Sequence, residues 1–192
     1  VAVGKTVRFT PLAGGGLKLS QAVTSGALVS TALEDQELVT RWRTAGGVPY
    51  TLRYGIRGAT LLLSAECDDP EADGLSLGAV VGLEGAQGVE VPYLMMGQKP
   101  GPLVACGGGL CASSLVDWPN SDCSLCDTAL KPAAAGELVI NGGTIYGDLT
   151  DGSRNPLRDR VAVTVSPTFS DVLPNVGNPP SARREETAKY LY

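Results

Sequence analysis

Along most of the first 165 positions, apolar and polar residues alternate in short runs, and none of these runs holds the 3.6-residue period of an amphipathic helix for several turns. Val3, Val7 and Phe9 alternate with Lys5 and Arg8, which predicts a strand within Val1 to Thr10, ended by Pro11 and the Gly14-Gly15-Gly16 turn. Leu17 to Val23 alternates in the same way. The stretch from Thr31 to Arg43 reads either as a helical turn or as a strand, and Val39-Thr-Arg-Trp-Arg43 favours a strand at its end. Tyr50 to Glu66 predicts a hairpin, with Leu52, Tyr54 and Ile56 on one face, Arg57-Gly58 at the turn, and Thr60 to Ala65 returning as a buried strand. Leu75 to Leu83 and Val89 to Met96 are two further strands, the second placed at an edge by Pro92. Glu137 to Ile140 and Thr144 to Leu149 flank the hairpin signal Asn141-Gly142, and Val161 to Val165 is the last strand. About eight or nine strands in one domain of residues 1–165 predict an all-β fold, a single β-sandwich or barrel-like domain of which a jelly roll is one version.

Beyond Val165 the pattern breaks. Pro167, Pro174, Pro179 and Pro180 exclude a packed element there, and residues 166–192 are expected to be an extended C-terminal arm. An isolated domain gains nothing by fixing such a tail, so neighbouring chains are expected to hold it, with Phe169, Leu173, Tyr190 and Tyr192 as anchors.

Composition narrows the function. The chain has fifteen basic and twenty acidic residues, a net charge of −5, and no polybasic run, so direct nucleic-acid binding is not expected. It contains no histidine, which removes Ser-His and Cys-His nucleophile activation, mixed Cys/His metal sites and the commonest general base. No segment approaches about 18 uninterrupted apolar residues, so no membrane span is expected. The chain opens on Val1 instead of methionine, and processing before that residue is expected.

Four of the five cysteines fall in a Cys-rich loop over residues 103–130. Cys106 and Cys111 have four residues between them, Cys123 and Cys126 two, with eleven residues separating the pairs. Two tight turns of this kind can each present two thiolates to one tetrahedral ion, and zinc is the expected ligand of Cys106, Cys111, Cys123 and Cys126. One or two disulfides are the competing reading, and an iron-sulfur cluster the third. Trp118 is expected to cover this loop, and Trp42 to anchor the core. Cys67 is either a small buried hydrophobe or a partner for one of the four.

Asp68 to Gly74 places four carboxylates in one turn, where Asp69, Glu71 and Asp73 imitate the opening of a calcium loop, although Val80 stands where the closing glutamate should be. Asp148 and Asp151 are the carboxylate pair that glycosidase-type chemistry would need. With arginine outnumbering lysine ten to five, the composition fits a GC-rich coding sequence. Taken together, these features make a non-enzymatic structural subunit of a virion the expectation: capsid, decoration, neck or tail component, bacteriophage included, with copies of itself and other virion proteins as partners. A secreted or surface binding module stapled by disulfides is the alternative, and a glycosidase-type enzyme the third reading.

Overall fold

The computed structural model describes residues 2–3, 7–10, 13–20, 22–89, 104–117, 120–126, 129–132 and 137–173. Its strands are β1 (Ala2–Val3), β2 (Val7–Thr10), β3 (Leu17–Leu19), β4 (Ala22–Val23), β5 (Gly26–Glu34), β6 (Glu37–Thr44), β7 (Pro49–Arg57) and β8 (Thr60–Cys67) in the first part. They continue as β9 (Ala72–Glu84), β10 (Gln87–Val89), β11 (Val104–Gly107), β12 (Leu110–Val116), β13 (Leu125–Cys126), β14 (Ala129–Pro132), β15 (Glu137–Ile145) and β16 (Leu157–Ser166), followed by a one-turn helix α1 (Phe169–Val172). The all-β expectation holds.

Two antiparallel sheets face each other. The wide sheet has eight strands side by side, in the order β10-β11-β12-β16-β8-β7-β6-β5. The opposing sheet also contains eight strands, but they do not lie eight abreast. One end of β9 pairs β2, which carries β1, and the other end pairs β3, which carries β4. On its far side β9 pairs β15, whose two halves pair β14 and β13. At either level this sheet is therefore five strands across (β1-β2-β9-β15-β14, or β4-β3-β9-β15-β13) against eight in the other.

Alternation along each strand sets which side chains fill the space between the sheets. One cluster gathers Leu17, Leu52, Leu63, Leu75, Tyr146 and Leu157, and a second gathers Val7, Leu61, Val80, Leu83 and Val163. Close backbone approach between β9 and β15 demands glycine. A Cβ on Gly74 would lie 2.3 Å from the Thr144 carbonyl oxygen, and one on Gly143 would lie 2.7 Å from that of Leu75.

Several elements differ from expectation, each for a local reason. Asn141-Gly142 does not turn the chain: β15 runs straight through it, with a register shift between Gly142 and Gly143. The stretch from Thr31 to Arg43 is instead where a hairpin turns, joining β5 to β6 through Asp35 and Gln36, whose φ values of 48° and 68° are left-handed. Glutamine is a poor marker for such a turn, which leaves it without a local sequence signal. The Cys-rich loop begins as a hairpin, β11 to β12. The domain also continues past residue 165: β16 ends at Ser166, and α1 turns back so that Val172 is buried against Val104 and Cys111 of the same chain. Of the expected arm anchors, Phe169 is exposed at 39% and Leu173 half-buried beside this helix, while Tyr190 and Tyr192 lie outside the described residues. Trp118, Pro92 and Met96 lie outside them too.

Leu157 is fully buried between the sheets, so Leu157→Ala should cost about 2–5 kcal/mol in urea unfolding at an unchanged m value. Leu33→Ala, on the rim of the wide sheet, should cost less than about 1 kcal/mol.

Candidate functional site

The inner face of the wide sheet extends further than the sheet that covers it. One cross-strand row runs Leu33-Leu38-Tyr54-Leu63-Val161, each residue opposite the next in register. Exposure along that row falls from 77% at Leu33 and 44% at Leu38 to 2% at Leu63 and 0% at Val161. A second row, Leu28-Trp42-Tyr50, repeats the trend, from 53% at Leu28 to 3% at Tyr50. Ile56, on the same inward phase of β7, is 65% exposed. These side chains have the phase of core residues and the exposure of surface residues. Together they form an apolar ledge where the wide sheet passes the edge of its shorter partner. With strands about 4.8 Å apart, the two strands β5 and β6 correspond to roughly 10 Å of overhang.

The floor of the ledge is braced. Trp42 stacks on Tyr50 with ring centroids 6.2 Å apart, and its Nε1 donates to Thr40 Oγ1 at 2.8 Å. Trp42 thus packs against the core as expected. The Ala13–Gly16 turn closes over Tyr50 and Leu52, where a Cβ on Gly15 would come within 3.0 Å of the Tyr50 ring. Charges are kept on the other face: Glu34 pairs with Arg41 at 2.7 Å and with Arg53 at 3.4 Å. The hydrogen bond from Arg41 holds the Glu34 carboxyl below its usual range. From Gly26 to Leu33, β5 carries no charge at all. Beside Ile56, a cavity of about 80 Å³ opens between β2 and the β7-β8 turn. That is well below the roughly 300–1,000 Å³ of small-molecule sites.

The sites expected from sequence are distributed differently. Cys106 and Cys111 form a disulfide, with an S–S distance of 2.06 Å. The reason is register: Gly108 and Gly109 are left-handed, with φ of 59° and 78°, and a two-residue turn sets Cys106 directly opposite Cys111. That pair packs with Val104 and Val172 on the outer face of the wide sheet, whereas Cys123 is buried with Tyr146 and Leu157 between the sheets. Of the four cysteines expected to share one zinc ion, Cys106 and Cys111 therefore lie across the sheet from Cys123, and the Cys126 side chain lies outside the described residues. Cys67 is a buried thiol near the Pro49 carbonyl oxygen, at 3.7 Å, and burial pushes its pKa up, which makes it unreactive.

In the acidic turn, Asp69 accepts the Glu71 amide at 2.8 Å, Asp68 pairs with Arg158, and Asp73 is buried in β9. Asp148 is held by Arg154 at 2.7 Å. Asp151 accepts from the Ser153 hydroxyl and amide, which lower its pKa. Both aspartates shape a surface loop. Among the described residues, no three His, Cys, Asp or Glu side chains are grouped so as to hold a metal ion, and no helix is long and apolar enough to cross a membrane.

One buried constellation was not anticipated. Asp159 on β16 projects between the sheets and accepts hydrogen bonds from Thr144 of β15 and from the Tyr146 hydroxyl, the latter at 2.8 Å. Its signal was available: in Leu157-Arg-Asp-Arg-Val161, a carboxylate occupies the core-facing phase of an otherwise apolar strand.

No family model matches the chain, and no curated protein does. A solved structure described as the crystal structure of beta-arabinopyranosidase is similar over 79% of this chain, at 10% identity and a TM-score of 0.38. This chain spans 32% of that one, and a likeness at this level carries no argument about function.

Replacing Cys106 and Cys111 together by serine should lower stability by about 2 kcal/mol, the loss anticipated for opening so short a loop. It should also speed amide exchange in α1, which rests on the pair. Peptide mapping after alkylation of the unreduced protein should find both residues blocked.

Proposed function

We propose that the chain is a structural subunit without a catalytic role, and that it assembles by docking its apolar ledge against the ledge of a second copy. The carrying observation is the row from Leu33 to Val161, in which core-phase residues emerge into solvent as the covering sheet ends. Shape favours a second copy. The layer left empty beside the five-strand sheet is about as wide as the overhang itself, so two copies related by a twofold axis fill each other's steps. Stacked at about 10 Å, the facing surfaces would bring Leu28, Leu33, Leu38 and Ile56 together. Electrostatics permits it in spite of the net charge of −5, because Glu34, Arg41 and Arg53 lie on the opposite face and the inward positions of β5 and β6 carry no charge. Leaving such a surface in water is unusual for a monomer.

A virion component is one setting for a subunit of this kind, and the ledge supports the assembly part of that expectation through a surface other than the arm. The disulfide between Cys106 and Cys111 favours a second reading, a secreted or surface module, since such bonds persist in oxidising compartments.

Sedimentation velocity across a concentration series separates the two. Self-assembly predicts a concentration-dependent dimer, reduced to monomer by Leu33→Glu with Leu38→Glu at an unchanged unfolding midpoint. A concentration-independent monomer would overturn the assembly reading and leave the stapled module.

A further inference from the structure

Asp159 is 3% exposed, and among the described residues no lysine or arginine pairs with it. Its two donors both belong to the opposing sheet or its continuation: Thr144 lies on β15, and Tyr146 immediately follows it. Side chains on the two sheets are thereby joined through one carboxyl group. The Tyr146 hydroxyl also accepts the Arg158 amide at 3.0 Å and lies 3.0 Å from the Arg158 carbonyl oxygen. With a single hydrogen, it can serve either that carbonyl or Asp159. If Asp159 is ionised, Tyr146 must turn to it. If Asp159 carries a proton on Oδ1, it donates to Tyr146 Oη, and Tyr146 turns its own hydrogen to Arg158. Thr144 still donates to Oδ2. The Arg158 carbonyl also accepts the Asp122 amide at 2.9 Å, so it keeps a partner either way, and what distinguishes the protonated arrangement is that it places no bare charge between the sheets.

We propose that Asp159 is a proton-operated clasp, which binds the two sheets most tightly after taking one proton from solvent. Of the titratable groups around it, Asp73 on β9 is a buried carboxyl whose backbone carbonyl accepts the Tyr146 amide at 2.8 Å, and it brings no cation. Tyr146, whose pKa is pushed far up by burial first and by Asp159 second, stays a neutral hydroxyl. Asp122, in the loop after β12, adds a like charge, and the neighbouring thiols Cys123 and Cys67 bring no cation. Arg158 and Arg160 flank Asp159 on β16 but project to the other face, where they meet Asp68 and Asp117. Burial pushes Asp159 up to about 6 from an ordinary 3.8, although the hydrogen bonds from Thr144 and Tyr146 oppose the shift. Because the folded value lies above the unfolded one, the stabilisation is complete below 3.8 and lost as the pH rises through about 6.

A carboxyl-carbon NMR titration of Asp159 in the full chain tests this directly. A midpoint near 6 is expected, and one near 4 overturns the clasp. Asp159→Asn supplies a second test, since the amide can join both donors but cannot titrate. Between pH 5 and pH 7.5, the ratio of the wild-type folding constant to that of the variant should fall about tenfold. A constant ratio overturns the proposal. Should the variant not fold, the titration alone decides.

Discussion

The two faces of this sandwich are unequal in width, and most of its character follows from that. Hydrogen bonding decides it: β9 and β15 are long and each pairs short strands end to end along one side, so the strands of that sheet add length more than breadth. The other sheet is built from full-length hairpins, β5-β6-β7-β8, and grows sideways. Where the sheets overlap, alternating residues make a dry core. Where they do not, the same alternation presents leucine and isoleucine to solvent. The ledge thus requires no departure from the strand pattern. It is core-phase sequence without a cover, which is why a matching surface on a second copy completes it.

Polar groups occupy particular positions in this frame. The Cys106–Cys111 disulfide lies on the outer face at the far side of the wide sheet, where it supports α1 and contributes nothing to the space between sheets. Asp159 does the opposite. It places one ionisable group at the point where the sheets meet, and a buried carboxyl there is tolerable only while its hydrogen bonds are complete. Assembly and the clasp are spatially independent: the ledge involves β5, β6 and β7, while the clasp joins β15 to β16.

Much of the fold was legible because alternation is a strong signal in strands such as Tyr50 to Arg57 and Val161 to Val165. What escaped depended on long-range pairing or on turns with weak markers. The Asp35-Gln36 turn uses left-handed residues without glycine, so the β5-β6 hairpin was invisible, and with it the ledge. Asn141-Gly142 misled in the other direction, because β15 continues through it in its pairing with β9, and the neighbouring Gly143 serves close contact with Leu75. For the cysteines, spacing identified a cross-linked segment. Register, which spacing does not contain, decided that Cys106 faces Cys111 across a hairpin and that Cys123 enters the core. Asp159 could have been noticed as a carboxylate in core phase, but its donors come from another sheet.

The proposed assembly surface is the inner face of β5 and β6. Hydrogen–deuterium exchange of the intact chain, compared between dilute and concentrated samples, tests it most directly. Amides of Gly26 to Thr44 should exchange more slowly as concentration rises, while those of β12 and β16 keep their rates. Equal exchange of Gly26 to Thr44 at both concentrations would contradict it.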